Sequence, residues 1–135
     1  MKNILDDDYF PWLSSLGVPY HVVYRDQEWE LFNEQKLNEE INIDGMITPR
    51  WKQLESFAQT YSEVTGEDET VDQFGNAFSL ERLKKGITIG DGNGDPLFID
   101  PTDSNSLWCY HHDGGDVEKL CNSLEEFRNM VYKST

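Results

Sequence analysis

Basic residues are scarce in this chain. Its 135 residues include 11 Lys and Arg against 26 Asp and Glu, so the formal net charge at pH 7 is −15. A field of this sign repels phosphate backbones and anionic bilayers, which argues against nucleic acid and membrane surfaces as partners. It attracts cations and speeds the encounter with a basic protein. Because the same charge also serves solubility, it names no function by itself.

Cysteine is equally scarce, and long apolar runs are missing. The two cysteines, Cys109 and Cys121, are too few for a disulfide framework. The N-terminal stretch turns acidic at Asp6 before any apolar run begins, and no segment approaches the length of a bilayer span. These absences argue against a signal peptide and a membrane anchor. We therefore expect a cytoplasmic protein with both thiols free.

The chain nevertheless carries enough apolar material for one core. Hydrophobic residues make up 37% of the sequence and aromatic residues 13%, which argues against disorder. A chain of 135 residues suits one domain, and we assign residues 1–135 to it.

Residues 86–100 organise the rest of the chain. Two short apolar runs flank a turn made almost wholly of Gly, Asp and Asn. The Asn93-Gly94 pair within it favours a tight hairpin turn. We predict a hairpin with strands near 87–90 and 97–100, in the middle of a sheet because both strands are apolar at most positions.

The same turn has an alternative interpretation as a calcium loop. Asp91, Asn93 and Asp95 alternate like the first three ligands of such a loop. The sixth position, which needs Gly, is Pro96, and the twelfth, which needs Glu, is Thr102. The pattern favours a polar hairpin turn, and we predict no metal there.

Capping residues and apolar spacing predict the flanking elements. Gly17 ends a first helix, and Thr48-Pro49 opens a second that Gly66 closes. Apolar residues recur at helical spacing in the second helix and predict its buried face: Trp51, Leu54, Phe57, Ala58, Tyr61 and Val64. The remaining predictions are helices at 9–16, 79–86 and from Ser123, strands at 20–24, 28–33 and 107–111, and a short strand or turn at 117–121.

Residues 66–76 are acidic and carry few apolar side chains. Glu67, Asp68, Glu69 and Asp72 form a charge run that predicts a mobile, solvated surface loop. A partner-binding loop is the alternative.

Two adjacent histidines follow the strand predicted at 107–111. His111, His112, Asp113 and Asp116 surround a Gly114-Gly115 turn. Neighbouring residues of a strand point to opposite faces, so adjacent histidines rarely bind one metal. The pattern favours a polar strand end, with a metal-binding or acid–base role as the alternative.

The order of these motifs resembles the SUKH superfamily, whose name comes partly from a yeast regulator of cell-wall glucan synthesis. The resemblance rests on these segments: Ile89-Gly90-Asp91, Gly94-Asp95-Pro96-Leu97-Phe98-Ile99-Asp100, Leu107-Trp108-Cys109-Tyr110-His111-His112, Ser123-Leu124-Glu125-Glu126-Phe127 and, upstream, Trp29-Glu30-Leu31-Phe32.

The resemblance implies a fold and a function. The fold is a single α+β domain with a mainly antiparallel, curved sheet and helices packed around it. The shared motif residues, Gly90, Gly94, Pro96, Asp100 and Ser123, are structural. No catalytic residue or cofactor carries over, so the protein is not expected to be an enzyme. Bacterial members resemble immunity proteins that protect a cell from toxin domains, often nucleases.

The charge agrees with such a role, because a nuclease needs a basic face to attract phosphate. An acidic protein reaches that face quickly and can cover it with carboxylates. The candidate contacts are Glu67, Asp68, Glu69, Asp72, Asp91, Asp95, Asp113 and Asp116. Two alternatives stay open: a regulatory or scaffolding domain, and a small metal-dependent enzyme that uses His111 and His112.

Overall fold

The fold is built on antiparallel strands, and the computed structural model describes the chain over residues 4–134. The strands are β1 (His21–Tyr24), β2 (Gln27–Leu31), β3 (Glu40–Ile43), β4 (Met46–Pro49), β5 (Glu69–Val71), β6 (Ala77–Ser79), β7 (Ile87–Gly92), β8 (Asp95–Asp100), β9 (Ser106–Tyr110), β10 (Val117–Cys121) and β11 (Tyr132–Lys133). Seven of them form one sheet in the order β10-β9-β8-β7-β2-β1-β11. β3–β4 and β5–β6 are separate hairpins.

The helices surround this sheet. They are α1 (Phe10–Leu16), which follows a π-helical turn at Leu5–Tyr9, α2 (Glu34–Leu37), α3 (Leu54–Thr65), α4 (Leu80–Lys84) and α5 (Leu124–Met130), with 3-10 turns at Arg50–Lys52 and Pro101–Asp103. The chain is therefore a single α+β domain with a mainly antiparallel sheet, as predicted. Among residues 4–134, no helix has the length and apolar character needed to cross a membrane.

The predicted central hairpin is confirmed as β7–β8, and β7 is the middle strand of the sheet. Asn93 and Gly94 form its turn with φ angles of 54° and 91°. Asp91 fixes the turn because its carboxylate accepts a hydrogen bond from the Gly94 N–H at 3.0 Å. At Gly90, a Cβ atom would lie 2.5 Å from the Glu30 carbonyl oxygen, so a side chain there would separate β7 from β2.

Helices cover the sheet on both faces. Leu97, Ile99, Leu107 and Cys109 belong to one core cluster together with side chains of α1 and α5. The alternating neighbours Phe98, Trp108 and Tyr110 belong to a second cluster with side chains of α3 and α4. Because both faces are buried, the central strands are apolar at nearly every position rather than at every second one.

The predicted start of the long helix is wrong. Thr48 and Pro49 lie in β4, which pairs with β3 through a turn at Asp44 and Gly45. The helix α3 begins only at Leu54, after the 3-10 turn. A Thr-Pro pair does not distinguish the two cases, because Pro suits a strand end as well as a first helical turn.

The apolar stripe of α3 is shorter than predicted. Leu54 and Ala58 are buried, and Phe57 and Tyr61 are partly buried against the same cluster. Val64 is 79% exposed, because it lies in the last turn of the helix, next to the cap at Gly66.

Apart from the one at Thr48, the predicted helix caps are confirmed. Gly17 ends α1 and Gly66 ends α3, both with positive φ. The Ser79 hydroxyl accepts a hydrogen bond from the Arg82 N–H, and the Ser123 hydroxyl accepts one from the Glu126 N–H. These two serines fix where α4 and α5 begin.

Candidate functional site

The predicted contact acids lie on three segments that touch one another. We call residues 67–76, 91–95 and 111–118 the acidic end. Thr70 in the first segment donates its hydroxyl proton to the Gly115 carbonyl in the third, at 2.7 Å. His112 in the third segment contacts Asp95 in the second, with 2.5 Å between Nδ1 and Oδ1. None of the three segments contains Lys or Arg, so the acidic end concentrates the negative charge of the chain.

Residues 66–76 lie at the surface as predicted, exposed except at Thr70 and Asp72, but the segment is not wholly a loop, because Glu69–Val71 forms β5 and pairs with β6. Thr70 pairs with Phe78 across this hairpin, and both side chains are buried, with 3% and 1% exposed. Glu69 and Val71 point outward on either side of Thr70. Each strand of this hairpin has a single buried residue, and the one in β5, Thr70, is polar, so the sequence shows no alternation of apolar and polar residues here.

The tip of this hairpin is rigidly held. The Asp72 carboxylate accepts hydrogen bonds from the N–H groups of Phe74 and Asn76, at 2.8 and 2.9 Å. Desolvation alone would raise the pKa of Asp72, but the backbone hydrogen bonds from Asn76 and Phe74 outweigh it and lower the pKa. Gln73 makes two further bonds to the main chain of Lys119, which fasten the tip to the edge strand β10.

Phe74 projects from this tip and is 81% exposed. Single exposed apolar side chains are common, but among the described residues Phe74 is the most exposed of the large ones, and its aromatic ring offers a large apolar area for burial by a partner. Phe74 is a candidate contact residue that no sequence pattern predicted. The turn-forming Asp72 and Gly75 beside it were the available signal, but exposure depends on tertiary packing.

Asp95 lies between the two histidines. Its Oδ2 lies 3.3 Å from His111 Nδ1, and its Oδ1 contacts both the ring and the backbone N–H of His112. The prediction that the histidines point to opposite faces is wrong, because β9 ends at Tyr110 and the strand alternation ends with it. Both rings therefore reach one carboxylate.

Proton affinities follow from this arrangement. The hydrogen bond to Asp95 raises the pKa of His112. Desolvation disfavours the charged form of His111, but hydrogen bonds to Glu118 and Asp95 outweigh it and raise the pKa of His111. For Asp95 desolvation is likewise outweighed, and the backbone and ring of His112 hold its pKa below the usual range.

The second ring nitrogen of His111 faces a different pair of groups. Its Nε2 lies 3.1 Å from a Glu118 carboxylate oxygen and 3.6 Å from the Cys109 sulfur. Cys109 is buried, and burial together with the charges of Glu118 and Asp95 raises the pKa of its thiol far above the usual range. Cys121, the other cysteine, is also free and buried and instead contacts the Ser123 carbonyl.

The remaining predicted acids differ in how far they are available to a partner. Glu67, Asp68 and Glu69 are exposed, and the Asp113 side chain is 93% exposed beside His112. Asp116 is half-buried and accepts the His111 N–H through its backbone carbonyl. The Asp91 carboxylate accepts the Gly94 N–H within its own turn, and burial there raises its pKa.

Asp100, one of the predicted structural residues, is fully buried at the far end of β8. Arg82 donates to it from Nε at 2.7 Å and from Nη2 at 2.6 Å, and the Thr102 N–H donates at 3.0 Å. The Arg82 guanidinium also lies over the Phe78 ring, 4.1 Å from its centroid. This ion pair connects α4 to the sheet and lies outside the acidic end.

Comparisons of the chain with protein-family models, curated proteins and solved structures found no match. The SUKH resemblance therefore stays a prediction from the motifs.

Proposed function

We propose that this chain is a non-enzymatic protein-binding module, an immunity protein that binds and neutralises a basic toxin domain of the nuclease type. The motif resemblance supplies the class of partner. The acidic end supplies the contact surface.

The exposed Phe74 is the observation that carries the proposal. Interfaces derive most of their binding energy from a few aromatic or Arg anchors surrounded by residues that exclude water. Phe74 stands on a hairpin tip fixed by Asp72 and Gln73, so little conformational entropy is lost when it is buried by a partner.

The exposed carboxylates of the acidic end supply selectivity for a basic partner. Glu67, Asp68, Glu69 and Asp113 are exposed and lie on connected segments that lack Lys and Arg. Such a surface speeds association with a positively charged face and repels acidic proteins and nucleic acid. It would occupy the face that a nuclease uses to attract phosphate.

A cytoplasmic location fits this function, because the free thiols of Cys109 and Cys121 suit a reducing compartment. A regulatory or scaffolding domain could use the same surface. A regulatory or scaffolding domain differs from an immunity protein because its partner would have no toxic activity for the chain to suppress.

Capture from host extract tests the surface. The wild-type chain, the Phe74→Ser variant and the Tyr132→Ser variant are immobilised, and bound proteins are compared at low and high salt. Tyr132 is the matched control, because it is also exposed, at 64%, but lies on β11 at the opposite edge of the sheet from β10. Loss of an anchor costs about 2 kcal/mol or more, which corresponds to about 30-fold weaker binding.

We expect a basic protein that high salt releases, that Phe74→Ser fails to hold and that Tyr132→Ser holds normally. Equal retention by the two variants would contradict a role for Phe74. A partner whose binding ignores salt would contradict the electrostatic part of the proposal.

A further inference from the structure

One face of the strand pair β9–β10 carries three different metal-ligating side chains. Cys109 lies in β9 and His111 directly follows its end, and the Cys109 sulfur lies 3.6 Å from His111 Nε2. Glu118 of β10 lies directly opposite Cys109 in the antiparallel register. The sheet therefore assembles a sulfur, a nitrogen and an oxygen donor from sequence positions that spacing alone does not connect.

We propose that Cys109 Sγ, His111 Nε2 and a Glu118 carboxylate oxygen form a binding site for a zinc ion. This site is independent of the proposed toxin neutralisation, and either could fail without the other.

The distances between the donors fit a tetrahedral zinc ion. Typical Zn–S, Zn–N and Zn–O bonds place neighbouring donors of a tetrahedron about 3.3–3.6 Å apart. Cys109 Sγ lies 3.6 Å from His111 Nε2, and Glu118 Oε1 lies 3.1 Å from the same nitrogen. The donor atoms of all three residues lie within 4.8 Å of one another, so Cys109 and Glu118 would have to approach each other by no more than about 1.2 Å to reach the tetrahedral separation.

Asp95 supplies the support that a metal-binding histidine requires. Histidine ligands usually donate their second ring N–H to a carboxylate, which fixes the tautomer and the orientation of the ring. Asp95 Oδ2 lies 3.3 Å from His111 Nδ1, which leaves the Nε2 lone pair directed toward Cys109 and Glu118. The backbone N–H of His112 holds Asp95 in turn, at 3.0 Å.

The chemistry of the donors selects the ion. A set of one thiolate, one imidazole and one carboxylate suits zinc and similar transition metals, whereas calcium and magnesium prefer oxygen donors alone. On binding, the sulfur–hydrogen bond of Cys109 breaks, its proton passes to solvent and a sulfur–zinc bond forms. Three protein ligands leave a fourth position for water.

A proton competes with zinc for the Nε2 atom of His111. With His111 protonated on both nitrogens, the ring would donate to Asp95 and to Glu118 and satisfy both carboxylates. The proposal therefore requires that zinc displace that proton near neutral pH.

Metal titration of the full chain tests the site. Chelator-treated protein is titrated with zinc by calorimetry, and with cobalt while the near-ultraviolet thiolate-to-cobalt charge-transfer absorption is followed. We expect one metal ion per chain and that absorption band. Glu118→Gln, His111→Gln and Cys109→Ser should each weaken zinc binding at least 10-fold, and Asp95→Asn about 10- to 100-fold.

The chain contains its own controls. Cys121→Ser and His21→Gln replace the same residue types outside the cluster and should leave zinc affinity within about 2-fold of the wild type. Because Glu118 is partly exposed, its variant should fold even if Cys109→Ser does not. Absence of stoichiometric zinc binding, a cobalt spectrum without the thiolate band, or equal losses in the control variants would overturn the proposal.

Discussion

Thr70 and Gly115, 45 residues apart in sequence, are joined by a hydrogen bond of 2.7 Å from the Thr70 hydroxyl to the Gly115 carbonyl. This bond connects the hairpin β5–β6 to the histidine-containing turn. Thr70→Val keeps the shape of the side chain but leaves the Gly115 carbonyl without its buried donor. We expect a loss of about 1–3 kcal/mol in the free energy of unfolding, measured by urea denaturation. Thr65→Val, at an exposed helix end, should change it by less than about 0.5 kcal/mol. Equal effects would show that the Thr70 bond does not hold the hairpin.

Gly115 is also constrained sterically. Its φ is +77°, and a Cβ atom would lie 2.5 Å from Cε2 of the Tyr61 ring. Gly115→Ala should therefore combine backbone strain with overpacking and destabilise the chain by about 2–4 kcal/mol. Gly75→Ala isolates the strain, because φ is +81° there and nothing among residues 4–134 lies within 4 Å of the new atom. Thermal unfolding of both variants should show the larger loss for Gly115→Ala, and the reverse order would be incompatible with this packing.

Arg82 and Asp100 form a buried ion pair whose carboxylate is fully inaccessible. Arg82→Met leaves that carboxylate without its cation and should cost about 3–5 kcal/mol in the free energy of unfolding. Lys119→Met removes the cation from Asp103 at a surface pair and should cost less than about 1 kcal/mol. Urea denaturation of both variants measures the difference. Similar costs would mean that Asp100 is hydrated in solution.

Asp72 should control the order of the hairpin tip. Its carboxylate accepts the N–H groups of Phe74 and Asn76, so Asp72→Ala should release both amides. We expect faster hydrogen exchange at these two amides, with slow exchange retained in the central strands. Asp113→Ala removes an exposed carboxylate of the same surface that makes no such bonds to this tip, and the exchange rates there should not change. Unchanged protection in Asp72→Ala would rule out this role.

The elements that could be predicted contain residues whose own conformational or hydrogen-bonding preferences favour a turn or the start of a helix. Asn93-Gly94 between two apolar runs predicted the central hairpin, and Ser79 and Ser123 predicted the starts of two helices. The prediction that Thr48-Pro49 opens a helix failed because the same pair also fits a strand end. Its partner strand, residues 40–43, shows no clear periodicity of apolar residues and so gave no sign of a hairpin.

The acidic end was predicted in its residues but not in its geometry. The acids of 67–72, 91–95 and 113–116 were singled out as one surface, yet their contact depends on the bond between Thr70 and Gly115. The clustering of Cys109, His111 and Glu118 depends on the register of β9 and β10. The exposure of Phe74 depends on which residues of the hairpin pack against the sheet, and no local pattern encodes that.

Titration of a toxin's activity tests the proposed function most directly. The protein captured through Phe74 is purified, and its nuclease activity is measured while the chain is added in increasing amounts. The proposed function predicts that activity falls to background at one chain per toxin domain and that Tyr132→Ser inhibits equally well. With the toxin diluted below the dissociation constant, Phe74→Ser should raise the inhibition constant about 30-fold. Activity that stays unchanged with an excess of the wild-type chain would contradict it.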